Sequence, residues 1–181
     1  DLIPSAIKFK EYRDSASKLN IYIVRTDHIY NEFGSTIPDV TAIRDFIRLK
    51  KPRYVLLMGD ASVDYKGINK VATATERVNY VPSYESRESL QPLQTYVSDD
   101  YYGLLGIDQG EWLEGNEAKN ELLSVGIGRI PVRSFEEANM LVNKIISYEK
   151  QNLTHPYRFA WLADDGDSNL HVQDAEDFAD Y

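Results

Sequence analysis

Carboxylates are the most chemically suggestive residues of this chain. Asp164-Asp165-Gly166-Asp167, followed closely by Asn169 and His171, crowds acids, an amide and an imidazole into one short stretch. A second group combines Asp99 and Asp100 with the acidic segment carrying Asp108, Glu111 and Glu114. Oxygen donors at that density suit calcium, a hard cation that takes several carboxylate and carbonyl ligands, with Asp99, Asp108 and Glu111 as the local candidates. A solvated acidic loop is the competing reading. Asp165, Asp167, Asn169 and Glu176 also match ligand types of an EF-hand loop. Leu170, however, stands where that loop needs glycine for its sharp turn, and a strand is expected upstream in place of a helix.

Nucleophilic chemistry is constrained from the outset. The chain has no cysteine, which removes disulfides, thiolate zinc sites and a cysteine nucleophile from these residues. His28, His155 and His171 are widely spaced and form no HExxH pattern. His171 near Asp165 and Ser168 supplies the residue types of a triad, but triads assemble in space and closeness in sequence does not define one. Gly59-Asp60 follows an apolar run, the place where α/β proteins position ligands, although Asp is equally suited to pinning the next loop. Neither a GxGxxG nor a GxxxxGK[ST] pattern follows, and Ser62 is not in a GxSxG elbow.

The elements that must carry these groups alternate between helical and strand patterns. Ile3 to about Leu19 has helical spacing, and Ile21–Val24 reads as a short buried strand. Thr26 to Pro38 carries loop signals, with Gly34, Ser35 and Pro38 together. Asp39 precedes a stripe of Val40, Ile43, Phe46 and Ile47, closed by Lys50, Lys51 and Pro52. Tyr54–Met58 is the clearest strand. An irregular excursion from Ala61 to Gln94 follows, and long loops of this kind are often functional. Strand character resumes over Leu122–Ile130, and Ser134 with Glu137 forms a capping box before a helix with Ala138, Leu141, Val142, Ile145 and Tyr148 on one face. Phe159–Ala163 reads as a further strand and Val172–Tyr181 as the start of a helix inside which the chain stops. This rhythm predicts an α/β fold with a parallel sheet.

Composition narrows the partners. With 181 residues and 43% hydrophobic content the chain can bury a core. A formal charge of −9 argues against a nucleic-acid surface, which needs clustered Lys and Arg to neutralise phosphate. No apolar run approaches the roughly 20 residues of a membrane-spanning helix.

Six stretches taken in order carry a resemblance: IYNEFGSTIPDVTAIRDFI, YVLLMGDASVDYKG, NYVPSYES, SLQPLQTYVSDDYYGLL, IGRIPVRSFEEANMLVNKIISYE and WLADDGDSNLH. Together they resemble the gingipain family of cysteine endopeptidases, with the nearest likeness to its sortase-like (PorU-like) members of type IX secretion in Bacteroidetes-type bacteria. The resemblance implies a caspase-like, parallel-sheet α/β sandwich in which residues 1–150 form the first, non-catalytic subdomain and 151–181 begin the catalytic one. It implies a secreted or cell-surface protein acting on peptide or protein substrates, needing no catalytic cofactor, with calcium as a possible structural ion. The family's catalytic histidine and cysteine would lie downstream, so this chain would be inert alone and complete only with the remainder of its catalytic domain. Asp165 matches the acid that orients the family's catalytic histidine, with Asp164 the alternative. Asn169 falls near the acid that selects basic side chains, with Asp167 two residues away. A non-enzymatic binding or scaffold module, with or without calcium, is the alternative function.

Overall fold

The computed structural model describes residues 1–64, 68, 73, 78–86, 96–107, 109, 110, 122–151 and 160–179. The chain divides into two compact units, Asp1–Tyr148 and Glu149–Tyr181.

In the first unit the order is α1 (Ile3–Ala16), α2 (Thr26–Phe33), α3 (Val40–Lys50), β1 (Tyr54–Met58), β2 (Tyr84–Glu85), β3 (Val97–Ser98), a 3-10 turn (Asp100–Tyr102), β4 (Gly126–Ile130) and α4 (Phe135–Lys150), the last turn of which crosses the unit boundary. β1 and β4 pair in parallel with Tyr54 opposite Gly126 and Met58 opposite Ile130. The expected parallel pairing of helix-flanked strands is therefore present, in a mixed helix-and-strand fold. β2 and β3 form a separate two-residue antiparallel ladder.

Local chemistry explains where the helices begin and end. Asp39 caps α3 by accepting from the Thr41 amide at 2.8 Å, and Lys51 ends it in the left-handed region at φ 48°. At α4 the Ser134 hydroxyl accepts from the Glu137 amide at 3.2 Å, while the Glu137 carboxylate reaches one residue further back, to the Arg133 amide at 2.7 Å. The expected capping pair is thus made with its return bond displaced by one position.

Helices pack on both faces of the β1–β4 pair. Ile29 and Tyr30 of α2 and Ala42, Ile43 and Ile47 of α3 bury against Leu57, with Val55 and Ile127 beside them and Tyr101 and Tyr102 closing the cluster. On the other face Ala138, Leu141 and Ile145 of α4 meet Met58, Ile130, Val132 and Leu2. Alternation along β1 sends Leu57 one way and Met58 the other, which is why both faces need cover.

Several expectations require correction. Thr26–Phe33 is a helix, not a loop: Ile29, Tyr30 and Phe33 form an apolar face, and the glycine and proline signals act only after it ends. Ile21–Val24 is not a strand. It has no ladder partner among the described residues, and Tyr22 is 77% exposed, so β-branched composition alone does not make it one. The strand expected over Leu122–Ile130 begins only at Gly126. In the second unit Ala160–Ala163 carries no strand, Phe159 lies outside the described residues, and α5 (Gly166–Ala179) starts six positions before Val172. Much of the excursion between Ala61 and Gln94 also lies outside the described residues.

Gly59, directly after β1, has φ +133°, and a Cβ there would stand 2.5 Å from the Tyr80 Cβ. Both the dihedral and the close approach of residue 80 demand glycine. Gly59→Ala is expected to destabilise the protein by about 1–3 kcal/mol or more, read as a lower urea midpoint. An unchanged midpoint would show that the loop after β1 relaxes freely.

Candidate functional site

In a parallel sheet, the loops at the carboxyl ends of the strands converge where ligands are commonly held. Here those ends are Gly59-Asp60 after β1 and Pro131–Arg133 after β4. A cleft of about 270 Å³ opens beside them, lined by Asp60, Ser62, Ser83, Glu85, Ser98, Asp99 and Arg129 together with apolar neighbours.

Arg129 organises the cleft. It lies in β4 with its side chain on the Leu57 face, where an unpaired guanidinium would be costly. Its Nε donates to Asp99 Oδ2 at 2.7 Å and its Nη2 to Asp99 Oδ1 at 2.6 Å, a two-pronged pair. Nη1 donates to the carbonyls of Gly59 and Val81, each at 2.7 Å, and Nη2 also reaches Ser83 Oγ at 3.0 Å. Ser83 Oγ in turn donates to Asp99 Oδ1 at 2.8 Å. The Tyr102 hydroxyl closes the same loop by donating to the Pro82 carbonyl.

The two other carboxylates of the cleft are held differently. Asp60 accepts from the Ala61 amide at 3.0 Å and from Arg133 Nε at 2.5 Å, so its observed role is to pin the loop that follows β1. Glu85 has no side-chain partner among the described residues, and burial pushes its carboxyl above the ordinary range. Burial alone would also raise Asp99, but hydrogen bonds from Arg129 and Ser83, with the charge of Arg129, outweigh it and hold Asp99 below the ordinary carboxylate range.

The residues singled out in the sequence are distributed between the two units. Asp99 sits in the cleft with both oxygens accepting from Arg129. Asp108 and Glu111 lie outside the described residues. Among the described residues no group of three or more His, Cys, Asp or Glu side chains is arranged to hold a metal ion. Asp164 and Asp165 are exposed in the second unit, ahead of α5, with Asp164 Oδ1 accepting from the Gly166 amide at 3.1 Å. Asp167 and Asn169 lie in the first turns of α5, and Asn169 is exposed with φ 63°, a left-handed conformation that Asn tolerates.

Arg129 and Ser83 were absent from the sequence-derived candidates. The available signal was an arginine flanked by Ile127 and Ile130 inside a strand pattern, since a charge placed there must find partners. Ser83 carried no comparable signal.

The fold and its cleft describe an α/β protein built on a parallel strand pair. The model of peptidase family C25 matches residues 1–181, and the chain belongs to that family, the gingipain family. A solved structure of dimeric latent PorU from Porphyromonas gingivalis is similar to it, with a TM-score of 0.62 and 26% sequence identity. That match covers 82% of this chain and 15% of the PorU chain, so this chain spans a small part of that relative. No curated protein matches the chain.

The opposed shifts of Asp99 and Glu85 predict opposite pH signatures. Asp99, lowered from 3.8, contributes stability that is present above that value and lost as pH falls through its folded value. The stability difference between wild type and Asp99→Asn should therefore shrink on acidification below about pH 4. Glu85, raised from 4.5, costs stability once ionised, so Glu85→Gln should stabilise the protein at pH 7 and lose that gain as pH falls through the raised folded value, with none left below 4.5. Urea titrations of both variants across pH 3–7 measure this (roughly the range over which carboxylates titrate). Parallel pH profiles for the two variants would contradict the assignment.

Proposed function

We propose that this chain is the N-terminal part of the catalytic region of a gingipain-type cysteine endopeptidase, or of a sortase-like transpeptidase of type IX secretion. The observation that carries this reading is the match of the C25 family model to all 181 residues. The likeness to PorU supports the sortase branch. Residues 1–150 take the part of the non-catalytic subdomain of a caspase-like pair, and residues 151–181 begin the catalytic one. The species that carry such relatives favour a secreted or cell-surface protein of a Bacteroidetes-type bacterium, with peptides or proteins as substrates. In the described residues no helix is long and apolar enough to cross a membrane.

Chemistry sets what this portion can contribute. A thiolate nucleophile requires cysteine, and the chain has none. The acid after the 160–163 segment would accept from the imidazole N–H of a histidine supplied elsewhere, fixing its tautomer and stabilising the imidazolium formed during reaction. Asp165 takes that role in this reading, with Asp164 as the alternative; both are exposed and next to the start of α5. Asn169 would face the substrate side chain with Asp167 nearby in sequence, and structural calcium would draw on Asp99, Asp108 and Glu111, with Asp99 shared between the ion and Arg129.

The purified 181-residue chain should show no thiol-dependent cleavage of a mixed peptide library, and activity free of contaminating protease would overturn the reading. In a longer protein that supplies the histidine and cysteine, Asp165→Ala should lower kcat by two orders of magnitude or more (about 10⁴ for comparable triad acids) with little change in KM. Damage from Asp164→Ala alone would move the assignment by one residue.

Asn169 gives a separate expectation. A guanidinium buried in a pocket needs a carboxylate, because an unpaired buried charge costs several kcal/mol, and Asn cannot neutralise it. The complete enzyme should therefore favour small or polar side chains before the scissile bond, and Asn169→Asp should introduce a basic preference in a positional-scanning library. Strong basic preference in the unsubstituted enzyme would remove Asn169 as selector. Calcium, if bound, should raise the melting temperature over that in chelator, and equal melting in both would eliminate it.

A further inference from the structure

We draw no further inference here: the strongest candidate, the acidic cleft at the carboxyl ends of β1 and β4, has Asp60 and Asp99 already held by Arg133 and Arg129, and nothing in the structure points to a ligand that would fill it.

Discussion

A guanidinium inside a parallel strand must be satisfied on every side, and the first unit is arranged around that demand. Arg129 is carried into the Leu57 face by the alternation of β4. Once there, its N–H groups require acceptors in a fixed planar pattern. The Asp99 carboxylate answers two of them, and the carbonyls of Gly59 and Val81 with the Ser83 hydroxyl answer others. Those acceptors come from the end of β1, from the irregular segment before β2 and from the turn after β3. One side chain thereby ties the end of β1 to both flanks of the β2–β3 ladder. Removing one member of such a pair strands the other, which is why the geometry is strongly specified even where the net energy is modest.

The same solution recurs on α3. Arg44 is buried, yet its Nε donates to the Leu104 carbonyl at 2.6 Å and its Nη2 to the Gln109 carbonyl at 2.5 Å. Arg48, one turn on, donates to the Leu105 carbonyl at 3.0 Å. The guanidinium of Arg44 also lies over the Tyr101 ring, 5.1 Å from its centroid. Leu104–Ile107 and Gln109 lie in no strand, so their carbonyls would otherwise depend on water. Arginine, with several donors on one rigid fork, serves such segments better than lysine. Irregular backbone in this unit is thus shaped by arginines on regular elements.

The cleft at the strand ends has the location of an α/β site, but two of its acids hold loops and its arginine is saturated. What the unit offers is rigidity: a parallel pair covered on both faces, with strand-end loops clamped in place. The acids read as catalytic or substrate-facing belong to the other unit, where Asp164 and Asp165 stand exposed beside the start of α5. A thiolate nucleophile needs cysteine, and none of the 181 residues is one.

Much of the architecture was legible from residue pattern alone. The Asp39 cap, the α3 stripe, the Tyr54–Met58 strand and the helix behind Ser134 follow from local periodicity and capping, which are properties of neighbouring residues. The lack of a cysteine nucleophile and the family likeness are likewise facts of sequence. Other features were decided only by contacts between distant positions. Whether Ile21–Val24 joins a sheet depends on a partner edge, not on its own β-branched character, and Thr26–Phe33 is helical because Ile29 and Tyr30 find a core that includes Ile43 and Leu57. Asp99 could be read as a calcium ligand or as a solvated acid; its pairing with an arginine 30 positions away was invisible to spacing. Local physics writes helices and strands into the chain, whereas the fate of a charge is settled by whichever groups the fold brings to face it.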